Sequence, residues 1–361
     1  MELKPPDRTR QIHMHFYNPP VWFEVSSAFK GCSNKCSISV GEGLDYYDKD
    51  VVIFFGPHLN GQPVEKRQGQ IWVLNGREPP SHYNFQISEW MGLFNWTMTY
   101  RRDSDIPNMR GHFEKRFNSS ARLPNVTSKL TGRKENVSST AWFVSNCHTE
   151  SKREDYVKIL KNKHSVDIFG RCGKNQCRPR NSIQCLSLLG QRYKFYLSFE
   201  NSLCRDYISE KSFQFYTEGI DAIPITRGFN GMYSLYLPPE SFIDTSNYDS
   251  IDKLVTFLDY LSKHGTLYEQ YFQWRKYYQA EFDRYQQFCD LCERMHEPDV
   301  YTKYHRVYHD INNWVFGSSD VAMCTKVNDI ETNSSSNGTS KLMYKFFPEI
   351  PNVKRRKSLF R

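Results

Sequence analysis

No apolar run in this chain approaches the ~20 residues a helix needs to cross a bilayer, and the first thirty residues are polar and rich in proline. Neither a transmembrane helix nor a signal peptide is therefore expected within it. A membrane partner is expected only through an anchor that this sequence does not contain. Basic and aromatic residues are nowhere interleaved in a tract, so the formal charge of +8 does not call for nucleic acid. It suits an anionic small ligand such as a nucleotide diphosphate. Cys289-x-x-Cys292 lacks a second Cys-x-x-Cys at finger spacing, although Cys32-x3-Cys36 keeps zinc open as a reading.

What is present is globular: 361 residues, 39% apolar and 15% aromatic, with room for two domains of ordinary size. Ten cysteines are many for a cytosolic chain. Sequons at Asn95, Asn118, Asn125, Asn136, Asn333 and Asn337 are glycosylation candidates and point the same way, to an oxidising, glycosylating compartment. A lumenal piece, an anchor upstream of Met1 or a soluble form would each reconcile the sequons with the missing apolar run.

The chain is organised around Tyr193 to Gly219. Tyr193 to Phe199 has the length and β-rich composition of a strand, and Glu200, Asn201 and Ser202 read as a short loop. Asp206 is a good helix N-cap, Tyr207 to Glu218 lacks glycine and proline, and Gly219 can close the helix. Such a unit presents free N–H groups and a partial positive charge at the helix start, to which Lys211 adds a full one. On these grounds alone it is equally an ordinary βα unit with a surface lysine. Thr140 to Gly170 predicts a βαβ unit. Its parts are a strand over Ala141–Ser145, a helix over Lys152–Lys161 with Tyr156, Ile159 and Leu160 at helical spacing, and a strand over Val166–Phe169. Gly170-Arg171 then falls at the C-terminal end of that strand, where ligands bind in open α/β sheets. Gln11–Phe16, Val51–Phe55, Gln70–Leu74 and Ala222–Thr226 predict further strands, and Ile251–Lys263 an amphipathic helix stopped by Gly265. Asn108 to Val137 reads as an exposed loop region.

The segment F-E-N-S-L-C-R-D-Y-I-S-E-K, Phe199 to Lys211, resembles the donor-binding signature of the α1,3-fucosyltransferase family, with Ser209 for threonine. The added Cys204 is similar to invertebrate members. N-G-R-E-P-P-S-H, Asn75 to His82, resembles the family's E-S-P-x-H block with Pro79 for serine. F-N-W-T-M-T-Y-R-R-D-S-D-I, Phe94 to Ile106, resembles a third family block.

The resemblance covers roughly residues 51–298 and implies an α/β fold of the GT-B class, two Rossmann-like domains facing a cleft. Residues 1–138 would hold the acceptor and residues 139–298 the GDP-fucose, with the last helix able to pack back on the first domain. Residues 299–361 would be a partly disordered tail, with Glu331–Ser340 polar and K-R-R-K at Lys354–Lys357 a solvated basic end. The implied activity is inverting transfer of fucose from GDP-fucose to O3 of a GlcNAc residue in a glycan or glycoprotein, in the N-glycan core or an antenna, in the Golgi lumen. Glu78 is the implied general base, with Glu89 and Asp103 next in line. Arg171, Asn201, Tyr207, Glu210 and Lys211 are the implied donor contacts; the planar guanidinium of Arg171 suits a diphosphate. No cofactor is implied, and Mn or Mg would at most stimulate by screening the pyrophosphate. Asp103-Ser104-Asp105 mimics the D-x-D metal motif of another fold, but no metal site is implied here. Cys32 and Cys36 are the implied partners of Cys289 and Cys292; Cys147, Cys172, Cys177, Cys185, Cys204 and Cys324 stay unassigned. Two departures lie beside the expected donor pocket: Thr226-Arg227 within I-P-I-T-R-G, and Ser212 where a large apolar residue is common. The altered I-P-I-T-R-G segment supports the alternative reading, an inactive relative that binds nucleotide sugar or glycan.

Overall fold

Val51–Phe55 and Ile71–Gly76 are buried along their whole length, as expected of central parallel strands covered on both faces. In this computed structural model, which describes residues 10–83, 87–116, 140–177, 183–229, 231–282, 284–298, 300, 306–318 and 320–330, they are β3 and β4 of an all-parallel sheet. Its other strands are β1 (Ile12–Phe16), β2 (Cys36–Val40) and β5 (Trp96–Thr99), and the spatial order is β2-β1-β3-β4-β5. Side chains alternate across a strand, so the two faces sort by parity. Val51, Ile53, Phe55, Ile71, Val73, Trp96 and Met98 form one core cluster; Val52, Phe54, Trp72 and Leu74 form the other, with Trp90 and Phe94.

The chain then leaves this sheet through β6 (His112–Lys115), which pairs antiparallel with β12 (Tyr278–Glu281), much later in sequence. Between them lies a second all-parallel sheet of β7 (Thr140–Phe143), β8 (Val166–Phe169), β9 (Phe195–Phe199), β10 (Ile223–Arg227) and β11 (Ile243–Asp244), ordered β11-β10-β9-β7-β8. Its connections carry α1 (Arg153–Lys161), α2 (Ile183–Arg192) and α3 (Glu210–Thr217); α4 (Ile251–Lys263) and α5 (Gly265–Gln270) follow β11. Ser212 on α3 is fully buried, and its hydroxyl lies 2.7 Å from that of Ser198 on β9, so the unusual polar residue has a polar partner.

The helix of the 193–219 unit begins later than its sequence predicts. Asp206 does not cap it: Asp206 sits at φ 63 in a turn, and Ser209 is the N-cap, its Oγ accepting from the Lys211 N–H. Both are good caps by type. Burying Tyr207 edge-on against Tyr100, at 5.3 Å between ring centres, holds residues 206–208 out of the helix.

The end of the chain returns to the first sheet. On α6 (Gln286–Met295), Phe288, Leu291, Cys292 and Met295 form one face at i, i+3, i+4 and i+7 and join the first core cluster. Burying each of these large side chains is worth ~1.5–3 kcal/mol. On α7 (Ile311–Phe316), Ile311 and Val315 join Tyr308 in the opposite cluster. The expected boundary at residue 298 is therefore corrected: residues past Pro298 are part of the folded body, which runs to Asp329. Glu331–Ser340 and K-R-R-K lie outside the described residues, as do Asn118, Asn125, Asn136, Asn333 and Asn337. The expected loop 108–137 is corrected at its start, where Asn108 is buried on the Arg77 guanidinium and β6 begins at His112.

All ten cysteines are paired: Cys32–Cys289, Cys36–Cys292, Cys147–Cys172, Cys177–Cys185 and Cys204–Cys324. The first two fasten α6 to the first lobe across more than 250 residues. They remove the thiolates that the zinc reading needs. The one ligand-like group among the described residues, Cys36, Cys292 and His296, is a disulfide beside an imidazole whose two nitrogens face the carbonyls of Cys292 and Arg10. Among the described residues no helix is long and apolar enough to cross a membrane.

Candidate active site

In an open parallel sheet, ligands bind outside the carboxyl ends of the strands at the point where strand order reverses. Both sheets reverse at the same place. In the first the switch lies between β1 and β3; in the second it lies between β7 and β9.

On the first lobe, the loops after β1, β3 and β4 line a pocket of about 470 Å³ whose walls include Val21, Trp22, Phe55, His58, Glu78 and His82. Trp22 is 42% exposed and meets Phe55 edge-on at 6.2 Å. Gly56 and Gly76, ending β3 and β4, leave room for Tyr83. A Cβ at Gly56 would fall 2.6 Å from the Tyr83 ring, and one at Gly76 3.0 Å from its hydroxyl. Tyr83 thereby seats the tight turn Pro80–His82 against the sheet, and the turn aims His82 back at Glu78.

Glu78 accepts two hydrogen bonds, from His82 Nδ1 at 3.0 Å and from Arg110 Nη2 at 3.2 Å. Burial pushes its carboxyl up, but the His82 hydrogen bond and the Arg110 charge outweigh that and hold it below its ordinary value. Asn201, at the end of β9, donates from Nδ2 to His82 Nε2 at 3.1 Å. With Nε2 accepting, the ring proton resides on Nδ1 and is directed at Glu78.

On the second lobe, Glu200 is fully buried, and its Oε1 accepts from the Ser209 N–H at 2.8 Å while Oε2 has no partner. Burial raises its carboxyl, against the pull of Lys211. Glu200 thus pins the loop after β9 to the start of α3. Lys211 Nζ donates to Ser209 Oγ at 3.0 Å and to Glu210 Oε1 at 3.1 Å, and Glu210 Oε2 lies 3.9 Å from Arg110 Nε. Burial pushes the Glu210 carboxyl up, but Lys211 and Arg110 bring it down to about 2.

One polar chain therefore crosses between the lobes, from His82 and Glu78 through Arg110 to Glu210 and Lys211, with Asn201 closing it on His82. Of the residues expected from sequence, it brings together Glu78, Asn201, Glu210 and Lys211. Tyr207 stands behind it, buried, with its hydroxyl pushed well up by burial. Arg171 stands apart and exposed at the end of β8, its Nε donating to the Ser145 carbonyl at 2.8 Å. The fallback bases are outside the chain: Glu89 is exposed in a turn, and Asp103 pairs with Arg101. Asp105 accepts from Thr97 and from the Tyr308 hydroxyl, so the D-S-D carboxylates serve the fold. Arg110 and the role of His82 were missed. Arg110 carries no local signal beyond its place just before β6.

Two Rossmann-like lobes with a site between them are the architecture of the GT-B fold class. Residues 133–314, half of the chain, match "Glycosyltransferase family 10 (fucosyltransferase) C-term", and residues 9–111 match "Fucosyltransferase, N-terminal". The chain belongs to glycosyltransferase family 10, the fucosyltransferases. It is 34% identical to alpha-(1,3)-fucosyltransferase C of Drosophila melanogaster over 74% of this chain and 66% of the relative. It is 33% identical to glycoprotein 3-alpha-L-fucosyltransferase A of the same species over 68% of this chain and 47% of the relative. The chain thus spans less than two thirds of the length of these curated relatives. A solved alpha1,3-fucosyltransferase with GDP-fucose shares the fold over 86% of this chain and 95% of its own, with a TM-score of 0.51 and 17% identity.

Proposed function

We propose that this chain transfers fucose from GDP-fucose to O3 of a GlcNAc residue in a glycan or glycoprotein, with inversion at the anomeric carbon. The observation that carries this reading is the polar chain joining Glu78 on one lobe to Lys211 on the other through Arg110 and Glu210. The acceptor O3 attacks the fucose anomeric carbon from the face opposite the diphosphate. The bond from that carbon to the diphosphate oxygen breaks, GDP departs with the electron pair, and the hydroxyl proton passes to Glu78. The transition state has oxocarbenium character, so catalysis needs cations where the diphosphate leaves. Lys211, the α3 N-terminus and Arg171 supply them. Asn201, Tyr207 and Glu210 would position the donor.

On the acceptor side, Trp22 and Phe55 offer an apolar plate for a pyranose face, and Glu78 and His82 offer partners for its hydroxyls. The acceptor is a GlcNAc of the N-glycan core or of an antenna. No cofactor is required in this reading. Mn or Mg would act on the diphosphate alone, because Asp103 and Asp105 are already engaged. The disulfides support the Golgi lumen as the compartment; membrane attachment would need an anchor outside this sequence.

The test is to give the purified chain GDP-fucose and a panel of defined acceptors, namely a core N-glycan glycopeptide, N-acetyllactosamine and its GalNAc counterpart. GDP release should be coupled to the addition of one fucose mass to one acceptor class. Binding of GDP with no fucosylation of any acceptor would overturn the reading.

A further inference from the structure

Arg227 places a full positive charge at the end of β10 with 1% of its surface exposed. Such a burial is tolerated only when the charge is paired and its donors are used. Nε and Nη2 of Arg227 donate to the two carboxylate oxygens of Asp329 at 2.7 and 2.6 Å, Nη1 donates to the Ser151 carbonyl at 2.8 Å, and the guanidinium lies 4.9 Å from the Tyr156 ring centre. Its carboxylate partner thus comes from the far end of the folded body, 102 residues on.

Ser151 passes this contact to the loop after β9. Its N–H donates to the Asn201 carbonyl at 3.0 Å and its Oγ to the Glu200 carbonyl at 2.7 Å, while the Glu200 N–H donates to the Arg227 carbonyl at 3.0 Å. The same C-terminal segment grips the loop a second time. The Arg205 N–H donates to the Met323 carbonyl and the Thr325 N–H to the Leu203 carbonyl, each at 2.8 Å, and Cys204, fully buried, is bonded to Cys324. The gripped residues, 203–205, lie between Asn201 and Tyr207.

We infer that residues 320–329 form a strap that sets the shape of the Glu200–Tyr207 loop for GDP-fucose, with Arg227 and Asp329 as positioning residues. This rests on the proposed donor role of that loop. The strap gives the altered I-P-I-T-R-G segment a purpose: Arg227 is the anchor for Asp329. It also gives Cys204 one, as the covalent end of the second grip. Losing Asp329 alone leaves a buried guanidinium unpaired, which will pull Arg227 towards water and release Ser151 and Asn201. Losing both charges avoids the unpaired guanidinium, which a fold often accepts, but the Arg227 bond to the Ser151 carbonyl is lost with it.

The test uses the full chain, with GDP affinity measured by calorimetry and both Michaelis constants by kinetics. Asp329→Ala should weaken GDP binding and raise the KM for GDP-fucose by about tenfold or more, leaving the acceptor KM unchanged. Arg227→Leu should raise the same donor values, and combined with Asp329→Ala it should add little to the larger single effect, as two ends of one contact require. Cys204→Ser with Cys324→Ser should raise the donor KM alone. A merely structural role would not separate the two Michaelis constants. If Asp329→Ala does not fold, the Cys204 and Cys324 pair of substitutions decides: an unchanged donor KM there overturns the strap. Parental GDP affinity in Asp329→Ala, or a double variant whose loss is the sum of the two single losses, overturns it. Lys211→Ala run alongside separates the two readings. If it loses GDP and Asp329→Ala does not, only the strap falls; if neither loses GDP, the donor-loop reading falls with it.

Discussion

Asn201 donates its side-chain amide to His82 Nε2 across 3.1 Å, from the end of a strand in one sheet to a turn beside the other. His82 Nδ1 in turn donates to Glu78. The group proposed to take the acceptor's proton is therefore oriented by the loop proposed to hold the donor.

Glu78→Gln keeps the size of the side chain and removes its charge. A base acts in the transition state and not in ground-state donor binding. The variant should keep its affinity for GDP and lose roughly 10²-fold or more in kcat. Calorimetry and steady-state kinetics on the same preparation check this. A near-parental kcat would reduce Glu78 to a loop carboxylate.

Arg110→Met should show the electrostatic side of the site. Arg110 helps to hold the Glu78 carboxyl below its ordinary value, and a base works only above its folded-state pKa. Removing the charge raises that pKa, so the acid limb of kcat/KM should move to higher pH. Stability should respond in the same sense. Glu210 is lowered from an ordinary 4.5 to about 2, so it stabilises the fold above pH 4.5 and loses that contribution as pH falls towards 2. The variant should accordingly resist acid less well. An acid limb that stays in place would separate Arg110 from the base.

Much of this was legible before the fold was known. β3 and β4 announced themselves as unbroken apolar runs because both their faces are buried, and α4 through its apolar face, although Gly265, read as its stop, opens α5. The start of α3 was not, since Asp206 and Ser209 are both capping residues and a distant ring, Tyr100, decided between them. The return of α6 and α7 to the first sheet was hidden by chain separation; only the resemblance pointed to a link through Cys289 and Cys292. Arg110 and Asp329 carry no pattern of their own. Each matters only through its spatial partners, Glu78 and Glu210 for one and Arg227 for the other.

Trp22 should govern the acceptor and not the donor. It lies in the loop after β1, half-exposed, in the same pocket as Glu78. Burying an aromatic face against a sugar is worth a few kcal/mol at most, so Trp22→Ala should raise the acceptor KM by about tenfold. Trp22→Tyr should recover most of it, and the KM for GDP-fucose should stay at the parental value in both. Equal changes in the two constants would assign Trp22 to the fold.

Asn95 should carry no glycan, although N-W-T is a good sequon. The sugar would have to bond to Nδ2, which donates to the Arg306 carbonyl at 3.1 Å. Oδ1 is also taken, accepting from Lys66 Nζ at 2.6 Å and from the Trp72 N–H at 3.0 Å. This one side chain ties β4, the segment before β5 and the returning C-terminal segment together. A glycan there would displace Arg306, so folded molecules should be those in which the site was skipped. Peptide mapping after enzymatic deglycosylation in heavy-oxygen water should find Asn95 unconverted. Asn95→Gln should also cost stability, because two half-buried groups, the Lys66 ammonium and the Trp72 N–H, lose their partner, each worth ~1–3 kcal/mol if left unmade. Its melting temperature should fall by several degrees. An occupied Asn95 in active protein, or an unchanged melting temperature in the variant, would show that the residue faces solvent and that the chain closes over the first sheet by other contacts.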